Sequence, residues 1–284
     1  MIAAALEGAG GPALGLFDAL VLGLVEGLTE FLPVSSTGHL IVAERLLGLG
    51  EGGANNVFAV GIQMGAITAI LVLYWQRLVG AVAGALRPQQ GTPNLLWQIG
   101  IAAFPAALLG FLIDHWIDAH MFSAKVVAVT TLVGGFLLLA LERWLRGRRP
   151  ATENLAGMSY RTALLVGLCQ CLALIPGTSR SGATIAGALL LGLSRTAAAE
   201  FSFLVGLPIL YGASAFKLMK ARHELTGDAL LPFAVGTLIA FLSALVVVRP
   251  FVRFVRSHSF VPFAWYRIAA GAALLALCAA GVIG

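Results

Sequence analysis

The 284-residue chain is 59% hydrophobic and 11% charged, with a net charge of +5 and a mean hydropathy of +0.93. A water-soluble globule carries about 25% charged residues, so this composition excludes one and indicates an integral membrane protein. The basic residues gather at segment ends, as in Arg143, Arg146, Arg148 and Arg149, which speaks for membrane topology and against a nucleic-acid-binding surface.

The N-terminus, MIAAALEGAGG, lacks a basic start and carries Glu7, so it does not read as a cleaved signal sequence. The first apolar segment leads into GLVEGLTEFLPVSSTGHL at 23–40. This stretch begins as a helix, breaks at Pro33 and resumes after small hydroxyl residues. Apolar stretches near 57–75, 95–113 and 124–142 follow. The interruption then recurs as GLCQCLALIPGTSRSGAT at 167–184, before further stretches near 199–216, 229–248 and 260–283. At about 20 residues each, the uninterrupted stretches predict about six full helical crossings. The alternating ten-residue segments of a membrane barrel are absent, so helices must satisfy the backbone. The expected fold is all-α, with about six transmembrane helices and two re-entrant broken-helix segments. Cys169, Cys171 and Cys278 lie in apolar segments without metal or disulfide spacing and are expected to be packing residues.

A shift of 144 positions carries Gly23 onto Gly167, Leu28 onto Leu172, Ser35 onto Ser179 and Gly38 onto Gly182. It also aligns Leu46 to Leu49 with Leu190 to Leu193. The chain therefore reads as one membrane domain, 1–284, built from two repeats at about 14–145 and 158–284. Pro33 and Pro176 fall one residue out of register, so the two breaks need not share one backbone path. The odd number of crossings between the breaks predicts opposite orientation for the two copies, an inverted repeat. A loop at 76–93 carries Arg77 and Arg87, the next at 114–120 carries Asp114, His115, Asp118 and His120, and the third carries the four arginines above. The first and third loops are then cytoplasmic and the second external. In the second half, Lys217, Lys220 and Arg222 balance Arg249, Arg253 and Arg256, so charge does not orient it.

Non-helical backbone inside a membrane must be buried in protein or line a watered cavity. Ser35, Ser36 and Thr37 after the first proline, and Thr178, Ser179 and Ser181 after the second, can cap restarting helices. The free N–H groups and positive dipole ends of such helices bind anions, phosphate above all. The alternative is that these hydroxyls only cap kinks. Glu26 and Glu30, four apart, project from one helix face. An intramembrane carboxylate costs at least ~2.5 kcal/mol by insertion scales, and two together must share a proton or hold a divalent cation through their oxygens. Arg180 offers a planar fork of donors suited to phosphate or to the two glutamates. His39 lies near enough in sequence to these groups to serve in acid–base chemistry. Arg195, Glu200, Glu44 and Arg45 sit near expected helix ends, where anchoring and salt bridging are expected.

At these residues the chain resembles the bacterial undecaprenyl pyrophosphate phosphatase family, also called the bacitracin-resistance protein family. Glu26 to Glu30 match its E/Q-x-x-x-E pattern, Pro33 to His39 its PVSSTGH, and Pro176 to Thr184 its PGxSRSxxT. The resemblance implies hydrolysis of undecaprenyl diphosphate to the monophosphate lipid carrier of cell-wall synthesis, with Mg or Ca as cofactor. It also implies a homodimer in the bacterial inner membrane with its site facing outside. Glu26, Glu30, Ser36, His39 and Arg180 are then the catalytic candidates, with Glu26 and Glu30 as metal ligands. Ser35, Thr37, Ser179, Ser181 and Thr184 are the phosphate-binding candidates. Either Ser36 or a water activated by His39 is the nucleophile. The competing reading is a lipid-carrier flippase or other transporter, since broken-helix inverted repeats also build transporters.

Overall fold

A computed structural model describes residues 14–49, 53–86, 93–220 and 227–283. The expectations for the N-terminal segment, Arg87 and Arg222 lie outside these residues. The described chain is helical: α1 (Leu16–Thr29), α2 (Ser36–Leu46), α3 (Gly53–Leu73), α4 (Trp75–Leu86), α5 (Leu95–His120), α6 (Ala124–Trp144), α7 (Tyr160–Gln170), α8 (Arg180–Leu190), α9 (Arg195–Lys220), α10 (Gly227–Ser257) and α11 (Val261–Ala279). Polar side chains start several of these helices: Asn94 accepts from Leu96 N, Ser123 from Val126 N and Ser159 from Thr162 N.

Among the described residues, five helices, α5, α6, α9, α10 and α11, are long and apolar enough to cross a membrane. The sixth expected crossing, 57–75, is not straight. α3 turns by 72° into α4, and the two are long and apolar enough to span a membrane only as a pair. The stretch 76–93, expected as a loop, is thus largely the helix α4. Likewise Arg249, Arg253 and Arg256, expected in a loop, ride on the last turns of the 31-residue α10. Phe111, Leu137 and Val246 stand exposed on outer faces, as suits side chains that meet lipid.

The broken segments are held between these spans. α1 lies along α10, and α7 lies along α5. Both contacts depend on glycines that the 144-residue shift aligns. A methyl group at Gly23 would strike the Gly236 carbonyl, and one at Gly167 would strike the Ala102 carbonyl. Small residues let membrane helices approach backbone to backbone where burial of apolar surface gives little net drive. α6 packs on α11 and α3 on α9, so the pairings are those that an exchange of the two halves would produce.

Ion pairs sit at helix ends, as expected for anchoring residues. Arg195 Nη2 donates to Glu142 Oε2 at 2.6 Å, and Arg77 Nη1 to Glu200 Oε2 at 2.6 Å. Glu142 Oε1 also accepts from Phe260 N at 2.7 Å, so it fastens the start of α11 to α6 and α9. The three cysteines are free thiols.

Candidate active site

The two breaks reach the same geometry by different paths. After α1 the chain passes through turns at 30–34, whereas α7 continues into a 3-10 turn, Cys171–Leu174. The offset of Pro33 and Pro176 is thereby absorbed. Ser35 and Ser179 then both adopt φ = 72°, and among the described residues they alone are left-handed without being glycine. Each accepts a hydrogen bond from the N–H three residues on, Gly38 N or Gly182 N. Such a conformation costs about 1–3 kcal/mol and persists where its surroundings over-determine it, a mark of functional sites. It turns the chain sharply into a new helix, and the residues that start α2 and α8, Ser36, Thr37 and Arg180, line one cavity.

Glu30 sits where the breaks meet. Its Oε2 accepts from Ser36 Oγ at 2.8 Å, and its Oε1 accepts from Arg180 Nη2 at 3.0 Å. The pair is largely buried, Glu30 being 6% exposed. Arg180 Nη1 donates to the Ser202 carbonyl at 2.7 Å, its Nε has no partner, and its guanidinium lies 6.0 Å from the centre of the Phe31 ring. Gly206 makes room for it, since a Cβ there would meet the guanidinium at 2.6 Å. Ser36, Thr37, Ser35, Ser179, Arg180, and Glu30 line a cavity of about 200 Å³, to which Gln170 and Gln63 also contribute.

Glu26 is fully buried, and both of its carboxylate oxygens lack a hydrogen-bond partner. Gln170, the residue aligned with it, likewise has an unpartnered side-chain amide. An orphaned buried carboxylate one helical turn from Glu30 requires a proton or a cation. Among the described residues no group of three or more His, Cys, Asp or Glu could hold a metal. A cation here would therefore draw on the two glutamates and on neutral oxygens, the donor set of hard divalent ions.

Ser181 and Thr184 are wholly buried and engaged within the protein. Ser181 Oγ donates to the Leu32 carbonyl at 2.8 Å, which ties α8 to the first break. Thr184 Oγ1 bonds the Arg180 carbonyl and the Ser202 hydroxyl, beneath the guanidinium. His39 stands apart from the cavity. It lines a separate apolar groove of about 530 Å³ between α1, α2 and α11. Its Nδ1 is 2.8 Å from the Ser35 carbonyl, and its Nε2 is 2.6 Å from Tyr266 Oη. A carbonyl only accepts, so Nδ1 carries the proton, and in the neutral ring Nε2 accepts from Tyr266. Ser35 lines both spaces.

Arg267 on α11 was not among the expected site residues. It is 2% exposed, and every acceptor it meets is a backbone carbonyl: Thr130, Thr131, Pro33, Gly177 and Thr178. One guanidinium thus joins α6 to both breaks. Thr130 and Thr131 add hydroxyl donors to the Pro176 and Gly177 carbonyls. A signal for Arg267 was present, because an arginine within the apolar stretch 260–283 is expensive and demands a partner.

A family model described as bacitracin resistance protein BacA matches residues 19–273. The undecaprenyl-diphosphatase 1 of Chromobacterium violaceum is 48% identical over 268 residues, covering 94% of this chain and 98% of that protein. The undecaprenyl-diphosphatase of Polaromonas naphthalenivorans is 48% identical over 271 residues, covering 94% and 97%. That of Cupriavidus necator is 44% identical over 284 residues, covering 93% and 96%.

Proposed function

Since the chain belongs to the bacitracin resistance protein family, we propose that it hydrolyses undecaprenyl diphosphate to undecaprenyl monophosphate and inorganic phosphate. The observation that carries the mechanism is the hydrogen bond from Ser36 Oγ to Glu30 Oε2. A hydroxyl held on a buried carboxylate is a nucleophile paired with its base. Ser36 Oγ attacks the terminal phosphorus and passes its proton to Glu30. The bridging P–O bond breaks, its electron pair leaves on the lipid monophosphate, and Glu30 gives up its proton to that leaving oxygen, which restores the carboxylate. Water then cleaves the phosphoseryl bond, which releases phosphate and restores the hydroxyl. Arg180 and the N–H groups at the starts of α2 and α8 stabilise charge on the transferred group.

Glu26 and Glu30 are the residues that would hold Mg or Ca, and the orphaned Glu26 carboxylate supports this reading. When bound, a divalent ion supplies charge neutralisation at the phosphoryl oxygens. Ser35, Thr37 and Ser179, on the cavity wall, contact phosphate oxygens. Ser181 and Thr184 act from beneath, holding the break and Arg180 in place. The apolar groove beside His39 suits the isoprenyl tail, with Ser35 between head and tail. The partners are this lipid and the surrounding membrane lipids, with a second copy of the chain forming a homodimer. The protein belongs in the bacterial inner membrane, with the cavity open to the outside. The arginines after α6 support that orientation by the positive-inside bias.

The test is phosphate release from undecaprenyl diphosphate by protein purified in detergent, where no membrane separates two compartments. Stoichiometric release is expected, whereas folded protein that releases no phosphate under these conditions would leave only the transporter reading. Rapid quenching with terminally labelled substrate should trap phosphoserine at residue 36. Label on a peptide lacking Ser36, or no trapped label at any time, would assign attack to another residue or to water.

A further inference from the structure

Three membrane spans meet the arginine-rich loop at one place: α6 ends at Trp144, α9 begins at Arg195, and α10 ends at Ser257. With the end of α8 they enclose a groove of about 990 Å³. Arg148 and Arg149 from the loop, Arg195 from α9 and Arg256 from α10 line it, with Glu153 as the one carboxylate on its wall. Arg195 is paired with Glu142. Arg148 lies over the Trp144 ring, 3.8 Å from its centre. Among the described residues, Arg149 and Arg256 have no ion pair.

The positive-inside bias explains why arginines lie on this side. It does not explain why three segments bring them into one concavity, where like charges repel and the potential is focused. Leu190 and Trp144, both half-exposed, add apolar surface to the same lining. A tryptophan at the end of a span sits at headgroup depth. The groove therefore combines forked phosphate donors, an apolar flank and an interfacial position. Basic pockets between helices at this level bind anionic lipid headgroups. We propose that this groove, separate from the catalytic cavity, binds the phosphodiester headgroup of an anionic phospholipid such as phosphatidylglycerol.

The experiment is native mass spectrometry of the full chain after incubation in micelles with phosphatidylglycerol or phosphatidylcholine. Wild type should retain phosphatidylglycerol in preference. Arg149→Gln or Arg256→Gln should each weaken retention about five-fold, the equivalent of about 1 kcal/mol per basic residue at a membrane surface. The triple variant Arg148→Gln/Arg149→Gln/Arg256→Gln should abolish the preference while keeping phosphate release in detergent, which reports that it is folded. If the triple variant loses that activity, the single variants decide. Equal retention of both lipids by wild type, or unchanged preference in both single variants, would overturn the proposal. Displacement of phosphatidylglycerol by equimolar inorganic phosphate would also overturn it, and would assign the groove to a soluble anion.

Discussion

Arg267 donates to five backbone carbonyls and, among the described residues, has no ion pair, so its planar fork matters more than its charge. Arg267→Lys keeps the charge but supplies one ammonium where paired donors span α6 and both breaks. Lysine should lower the thermal unfolding temperature in detergent and cut kcat by at least ten-fold. Preserved kcat with lysine would limit Arg267 to a passive packing role. At the proposed reaction centre, Glu30→Gln replaces the carboxylate that accepts from Ser36 and pairs with Arg180, and turnover in phosphate-release assays should disappear. Ser36→Ala should lose about three decades or more, the scale seen when a nucleophile is deleted. Arg180→Lys should retain substrate binding yet lose about two to three decades of kcat, as for loss of a transition-state donor. Full activity in Arg180→Lys would remove the fork from the mechanism. The glutamates, Ser36 and Arg180 were legible in the sequence because buried charge and a broken helix are both expensive in hydrocarbon. The parting of His39 from them was not, since four residues along a restarting helix put a side chain on a face that only packing against α11 defines.

At the scale of the element, Ser35 and Ser179 set stability against shape. Glycine at residue 35 loses the 3.4 Å cap to Gly38 N, a loss of a few tenths of a kcal/mol, and is freed from the left-handed strain. Ser35→Ala loses the cap, about 1 kcal/mol, and keeps the strain. Unfolding temperatures should therefore rank glycine at or above serine, with alanine lowest, and an alanine variant as stable as the glycine variant would show that the strain is not real. Gly206 belongs to α9 yet acts through α8, because a methyl group there meets the Arg180 guanidinium. Gly206→Ala should reduce kcat far more than stability. The positions of the breaks were readable from proline followed by hydroxyl residues. The shift aligned Ser35 with Ser179, but their common positive φ was not readable, because a serine seldom adopts it and only the chain path through 30–34 and the 3-10 turn at Cys171–Leu174 imposes it.

For the whole molecule, the position of each broken segment depends on close backbone approach to one long span. Gly167→Val should push α7 off α5, because the obstacle is the Ala102 backbone and not a movable side chain. Loss of about 1–3 kcal/mol, typical of overpacking, should appear as a lower unfolding temperature together with lost activity. Gly212, with nothing within 4 Å of an added Cβ, is the control. Gly212→Ala should be neutral or stabilising by up to about 1 kcal/mol. Equal damage at both positions would mean that helix approach at Gly167 is not the constraint. Arg256 shares a groove with Arg148 and Arg149, so the end of α10 lies on the same side as the α6–α7 loop. Charge counting left that alignment open, since Lys217 and Lys220 offered an equal cluster.

The sequence by itself determined that the chain is helical and membrane-borne, where it breaks, and which charges stand at the breaks. Those properties follow from local composition, because hydrocarbon penalises every polar group and every unsatisfied amide wherever they occur along the chain. Only the tertiary structure decided which groups meet: Ser36 with Glu30, Glu30 with Arg180, Arg267 with both breaks, and His39 with Tyr266 away from the cavity that the other candidates line. These contacts join residues up to 234 positions apart, and their geometry is set by helix rotation and approach. A one-dimensional pattern of apolar and polar residues constrains the face a helix buries, but leaves the partner on that face to the packing of the other helices.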